Sequence, residues 1–347
     1  MRRLRVRTVV MKLSMWRVLL LTFLLAVVPT VFLAQQVPHP PDRPDGKQQP
    51  AQPPRPGSPQ SDEPATTFKV NVKLVNVFAT VTDQSGAPVG GLTKDDFHIF
   101  EDGKEQSIAL FARESDLPLS IVLAIDASLS TRKDLPLELE SARRFTHAIL
   151  RPVDAISLYQ FSQFVSEVIP FSSDLRVVDR GIARIRSQSS TALYDAVYLG
   201  ARALIPREGR KVLVVITDGG DTSSKISYSE AVRAAQTAEA IVYSIIMVPV
   251  EASAGRDIGG EHALIQISHD TGGRYFYASN LSELDKAFKQ ISEELRTQYL
   301  IAYYPARQIS GDYRKISVVV EPQAAEKISA AGLRVRHRTG YYNSKLE

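Results

Sequence analysis

Residues 120–130 read SIVLAIDASLS. The segment 120–125 is short and almost wholly apolar, which suits a strand buried on both faces of a sheet. Directly after it come Asp126, Ser128 and Ser130, a carboxylate and two hydroxyls at alternate positions where the strand gives way to a loop. Runs of the same apolar kind recur at 156–161 (ISLYQF), 212–217 (VLVVIT) and 241–248 (IVYSIIMV). Amphipathic patterns between and after them predict helices over about 137–150, 175–185, 192–204, 229–240 and 281–296. This alternation from 117 to 298 predicts an α/β fold with a doubly wound, mostly parallel sheet. Such sheets bind ligands at the carboxyl ends of their strands.

Two further segments should reach the same edge. Ser189-Ser190-Thr191 precedes the helical stretch ALYDAVYLGARALI, and Thr217-Asp218-Gly219-Gly220-Asp221 follows the run VLVVIT. Each has a plain local explanation: Ser128, Ser130 or Thr191 as a helix cap, Asp218-Gly219 as a turn. Their co-occurrence in order at strand ends points instead to a shared metal site. The donors are hydroxyls and few carboxylates, with no histidine or thiolate among them. That set suits Mg2+, with Mn2+ and Ca2+ as alternatives.

DASLS, the threonine of SSTALYDA and ITDGGD resemble the metal-ion-dependent adhesion site of von Willebrand factor type A domains. The resemblance covers roughly 117–298. It implies that Ser128, Ser130 and Thr191 ligate through their hydroxyls and that Asp126 and Asp218 act directly or through water. It also implies that an acidic side chain of a protein partner fills the remaining position. Neutral hydroxyls leave such a cation under-compensated, so it attracts an Asp or Glu carboxylate.

Outside this domain the pattern changes. FKVNVKLVNVFATVTD (68–83), FHIF (97–100) and 108–111 read as strands, with turn signals at Asp83–Gly86 and Asp102-Gly103. Three more β runs, YLIAYY (299–304), ISVVV (316–320) and LRVR (333–336), come after the last helix. A β module over 67–116 is small for an independent fold. It is therefore expected to combine with 299–347 into one flanking sandwich-like unit around the inserted 117–298 domain. VTDQSGAPVGGLTKDDFHIFEDGKEQSI, QYLIAYYPA and RTGYY also resemble bacterial exported proteins related to von Willebrand factor type A.

The N-terminal portion reads as addressing and spacing rather than fold. Arg2, Arg3, Arg5, Arg7, Lys12 and Arg17 precede the apolar run 18–34, VLLLTFLLAVVPTVFLA. Residues 1–34 are thus expected to be a signal peptide or a signal anchor, the latter holding the protein to a membrane through 18–34. Either form places the remainder outside the cytoplasm: periplasmic, anchored in the cell envelope, or secreted. Residues 35–66 are proline-rich and nearly devoid of large apolar side chains, as in a disordered linker.

Composition closes off several classes. The 347-residue chain is 44% hydrophobic and 23% charged, enough for a real core. Its net charge of +4 comes largely from the N-terminal cluster, so no nucleic-acid partner is implied. There is no cysteine, hence no disulfide, thiolate nucleophile or zinc-thiolate site. Ser128 is not in a Gly-x-Ser-x-Gly elbow, no phosphate-binding glycine loop appears, and His147, His262 and His269 are scattered. The expectation is a non-enzymatic binding or adhesion protein of the envelope. A structural component of an envelope complex acting through its β segments, and a metal-dependent hydrolase, are the competing readings.

Overall fold

A computed structural model describes residues 74–113, 117–248, 258–305, 313–321 and 332–342. The expected signal segment 1–34 and linker 35–66 lie outside these described residues. The first described strands are β1 (Val75–Thr82), β2 (Phe97–Glu101), β3 (Lys104–Gln106) and β4 (Ile108–Arg113). There follow β5 (Leu119–Asp126), α1 (Leu135–Ile149), β6 (Ala155–Phe161), β7 (Val165–Ser172), α2 (Leu175–Ile182), α3 (Leu193–Leu204), β8 (Arg210–Thr217) and α4 (Tyr228–Thr237). Next come β9 (Ile241–Met247), α5 (Ile258–Asp270), β10 (Tyr275–Ala278) and α6 (Leu281–Leu295). The chain ends in β11 (Tyr299–Tyr303), β12 (Tyr313–Val320), β13 (Arg334–Arg336) and β14 (Gly340–Tyr342).

Every residue of β5 is buried, because helices cover both faces of its sheet. Ile121, Leu123 and Ile125 pack on one side with α1, α2 and α6, through Phe145, Ile182 and Phe288. Val122 and Ala124 face the other side and meet α3, α4 and α5, through Val197, Ala235 and Leu264. Each fully buried aliphatic side chain contributes about 1.5–3 kcal/mol, so a continuous apolar strand is a strong determinant of this layer. The sheet order is β10-β9-β8-β5-β6-β7. All neighbours are parallel except β7, which returns antiparallel on β6 at the edge. The fold is therefore α/β with a doubly wound, mostly parallel sheet. The antiparallel edge and helix α5 are additions to the sequence expectation.

Helix ends follow local chemistry. Ser227 and Glu230 form a capping box at α4, with Ser227 N donating to Glu230 Oε2 at 2.9 Å. The Asn280 side chain caps α6 by accepting from Glu283 N at 3.1 Å. Helix α3 is different. Its N-cap position holds Ala192, which has no side-chain oxygen to offer.

The remaining strands form two four-stranded sheets, β13-β1-β11-β4 and β14-β12-β2-β3. Strands from the two ends of the chain alternate in the first sheet and meet at β12 and β2 in the second: Val77 pairs with Ile301 and Ile99 with Val318. Their shared core contains Val77, Ile99, Phe97, Tyr299, Ile301, Tyr303 and Ile316. Within it the Glu101 carboxylate accepts hydrogen bonds from Tyr303 Oη at 2.8 Å and Tyr341 Oη at 2.9 Å. Neither terminal half can close this core alone. Truncating the fully buried Ile301 to alanine should cost about 2–5 kcal/mol and Ile301→Val about 0.5–1.5 kcal/mol. Denaturant midpoints measure both, and equal values would show that this core is not a single packed unit.

Candidate metal centre

The strand order places β5 between β6 and β8, with the chain leaving β5 toward one neighbour and returning to the other side. The carboxyl end of β5 is thus the switch point of the sheet, where a crevice opens. Asp126 occupies that end and is completely buried. Its Oδ1 accepts from Ser128 N at 2.8 Å, and its Oδ2 accepts from Thr217 Oγ1, at the end of β8, at 2.6 Å. Gly219 N in turn donates to Thr217 Oγ1 at 3.1 Å. The turn after β8 is thereby tied to the carboxylate that ends β5.

The loop after Asp126 is held just as closely. Thr131 Oγ1 donates to the carbonyls of Asp126 (3.2 Å) and Ser128 (3.1 Å). Ser128 is nearly buried, Ser130 is exposed, and their hydroxyl oxygens lie 2.8 Å apart. Two hydroxyls from one short loop therefore converge.

The third segment joins from below α3. Gln188 N donates to Ala127 O at 2.6 Å, and Ser187 Oγ to Ser128 O at 3.1 Å. Ser190 has φ 60, a left-handed conformation unusual for a residue with a side chain. The chain turns there and places Thr191 inward, 5% exposed. Thr191 N donates to Thr222 Oγ1 at 2.9 Å, while Thr191 O accepts from Thr222 N at 2.8 Å. Asp221 supplies the cap that α3 lacks, accepting from Leu193 N at 2.8 Å. Asp195 answers from the helix by accepting from Lys225 N and Ile226 N. The segments carrying Asp126, Ser128, Ser130, Thr191 and Asp218 are thus joined to one another by hydrogen bonds.

Asp218 is half-buried beside Thr217, and its negative charge acts on Asp126. Gly260, in the first turn of α5, lies so close to Gly219 that a methyl group there would collide with the Gly219 carbonyl. Burial pushes the Asp126 carboxyl up to about 6 from 3.8, with Asp218 adding to the rise; the hydrogen bonds from Thr217 and Ser128 oppose it. Among the described residues, no three His, Cys, Asp or Glu side chains gather closely enough to hold an ion by themselves. A cation here would need the hydroxyls of Ser128, Ser130 and Thr191 as well as the two aspartates. That oxygen-only donor set fits a hard divalent ion.

Three side chains of this region were assigned no role of their own from the sequence. Thr217 looks like an ordinary β-branched strand residue, and Asp221 caps a helix distant in sequence. Glu138 is fully buried in α1, and both of its carboxylate oxygens are without a hydrogen-bond partner. Its signal was present: Leu135, Glu138, Ala142, Phe145 and Ile149 follow helical spacing, so an acid stands in the apolar stripe. The histidines lie apart from this cluster. His147 bonds Asp179 on α2 at 3.0 Å, His269 lies beside Asp270, and His262 is exposed.

Residues 120–290 match the family model described as von Willebrand factor type A domain. The chain carries a von Willebrand factor type A domain. No curated protein matches the sequence. Among solved structures, it is similar to the conserved hypothetical protein BatB from Bacteroides thetaiotaomicron, 22% identical over 52% of this chain and 100% of that one, with a TM-score of 0.42. A von Willebrand factor type A protein from Catenulispora acidiphila is 11% identical, covering 80% of this chain and 76% of that one, with a TM-score of 0.46. The von Willebrand factor domain of the type V pili tip protein Mfa5 from Porphyromonas gingivalis is 12% identical over 51% and 94%, with a TM-score of 0.42. The assignment rests on the family match, together with the topology and motif geometry above.

The buried Asp126 makes a pH prediction for the cation-free von Willebrand factor type A domain. Its folded-state value is raised, so the folded protein holds this proton more tightly than the unfolded chain. The penalty for burying the ionised form is complete above pH 6 and disappears below the unfolded value near 4. A rise from 3.8 to about 6 corresponds to about 3 kcal/mol. In chelator-treated buffer, Asp126→Asn should therefore stabilise the protein at pH 7.5, and the gain should shrink as pH falls to 4. A pH-independent difference in urea unfolding would contradict the buried charge.

Proposed function

We propose that this protein is an exported envelope binding protein. In this reading a divalent cation, held by Asp126, Ser128, Ser130, Thr191 and Asp218, captures an Asp or Glu carboxylate of a protein partner. The observation that carries it is the convergence of three loops at the switch point, where Ser128 and Ser130 place their hydroxyls 2.8 Å apart beside the buried Asp126. Mg2+ matches these donors best, with Mn2+ and Ca2+ as alternatives. The von Willebrand factor type A assignment supports a role in adhesion or assembly through protein contact. Export is supported by the basic segment and apolar run of 1–34, and by the resemblance of the flanking strands to exported bacterial proteins.

The reading is non-enzymatic. Asp126 is occupied by Thr217 and Ser128, and His147 and His269 pair with acids while His262 faces solvent. Among the described residues, no histidine is hydrogen-bonded to Ser128.

Added Mg2+ should raise the thermal stability of the wild-type protein, by about 2.7 kcal/mol at a hundredfold excess over the dissociation constant. Asp126→Ala should abolish that shift while remaining folded. Gly260→Ala, which disturbs the loop carrying Asp218 without removing a donor, should weaken it. Absence of any cation-dependent shift in the wild type would sink the metal reading. Partner capture from envelope extract should be released by EDTA. Capture that survives EDTA would transfer the contact to the β-sandwich and favour the assembly role.

A further inference from the structure

Glu138 is the least satisfied acid in the described structure. It is 0% exposed, and neither carboxylate oxygen has a hydrogen-bond partner. The charges acting on it are Asp126, Asp134 and Asp218, all negative. Burial, followed by these three acids, pushes its carboxyl well above the ordinary range. Protonation would not satisfy it, because the neutral group then carries a buried O–H with no acceptor. Its neighbours along the helix stripe are Leu135, Ala142 and Phe145, so an apolar side chain would pack there at lower cost.

A buried, unpartnered acid in the helix that leaves a proposed cation site has one simple counterpart, the cation itself. Resting on the adhesion-site reading above, we propose that Glu138, in the first turn of the helix that follows the loop of Asp126 and Ser128, is a third carboxylate of that site, acting on the bound divalent cation by its charge. It is a positioning and charge-compensating residue rather than a direct ligand, consistent with the absence of a three-acid cluster close enough to chelate. The consequence is specific. With Asp126, Asp218 and Glu138 together, the ion is compensated more fully than the hydroxyl-rich motif alone implies. The site gains cation affinity and gives up part of its pull on a partner's carboxylate.

The test measures Mg2+ and Mn2+ binding by titration calorimetry on the whole exported chain, together with melting in chelator. Wild type is compared with Glu138→Gln, Glu138→Met, Glu138→Asp and Asp126→Ala. Glu138→Met and Glu138→Gln should melt higher than wild type without cation and bind it between about ten- and a hundredfold more weakly. Glu138→Asp, which keeps the charge, should recover part of the affinity. If Gln at this position fails to fold, the methionine variant, apolar and of similar length, carries the comparison. Wild-type affinity in both neutral variants would overturn the role of Glu138 while leaving the adhesion-site reading intact. No cation binding by the wild type would overturn both, and that outcome is distinct because the Asp126→Ala control would then differ from nothing.

Discussion

A carboxylate sealed from water at the end of the central strand constrains everything around it. Asp126 cannot be solvated, so its two oxygens must be satisfied by the protein. One accepts the amide of Ser128 and so shapes the loop after β5; the other accepts the hydroxyl of Thr217 and so fixes where β8 ends. From Thr217 the constraint passes to Gly219, and from the Ser128 loop to Ser187 and Gln188. The pieces of the candidate site are mutually supporting, and the loops could not relax independently without exposing a buried charge. Burying an ionised carboxylate is costly without a positive counter-charge, and the fully buried, unpartnered Glu138 adds to that cost in the same region.

The fold was legible where burial is two-sided. Strands 119–126, 210–217 and 241–247 are covered on both faces, so they wrote themselves as unbroken apolar runs. Strand β7 did not, because VSEVIPFS lies at the sheet edge with mixed burial and a proline in its span. Helix α5 was not among the expected helices: its beginning is marked by a glycine pair, and its apolar residues are not confined to one stripe. The interleaving of terminal strands was foreseen as a need, since neither half is large enough to close alone. Its register, with Val77 opposite Ile301, follows from long-range packing that no local pattern encodes.

At the candidate site, the residues legible in sequence are those that sit in short contiguous motifs. Asp126, Ser128 and Ser130 share five positions, and Asp218 adjoins a Gly-Gly turn. What was not legible is the support. Thr217 and Asp221 matter through partners 91 and 28 residues away. A side chain that caps a helix belonging to another segment leaves no trace of that role in its own neighbourhood. Glu138 is the intermediate case: helical spacing alone puts it in an apolar stripe, but only the fold shows which charges it faces.

The β-sandwich bears on function through where it attaches. Arg210, at the start of β8, donates to the carbonyls of Leu117 and Leu295, the entry and exit of the α/β domain. Arg336 of β13 pairs with the buried Glu294 of α6 at 2.7 Å, and Arg274, before β10, reaches the same carboxylate at 3.1 Å. Thr339 N donates to Asp270 O, at the end of α5. All of these contacts lie at the amino-terminal edge of the parallel strands. The Asp126 cluster lies at the carboxyl-terminal edge, about 23 Å away along an eight-residue strand. Among the described residues, the sandwich therefore braces the sheet from the edge opposite the loops of Ser128, Thr191 and Asp218. The two ends of the parallel strands thus carry different tasks: one anchors the terminal strands, the other gathers the loops around Asp126.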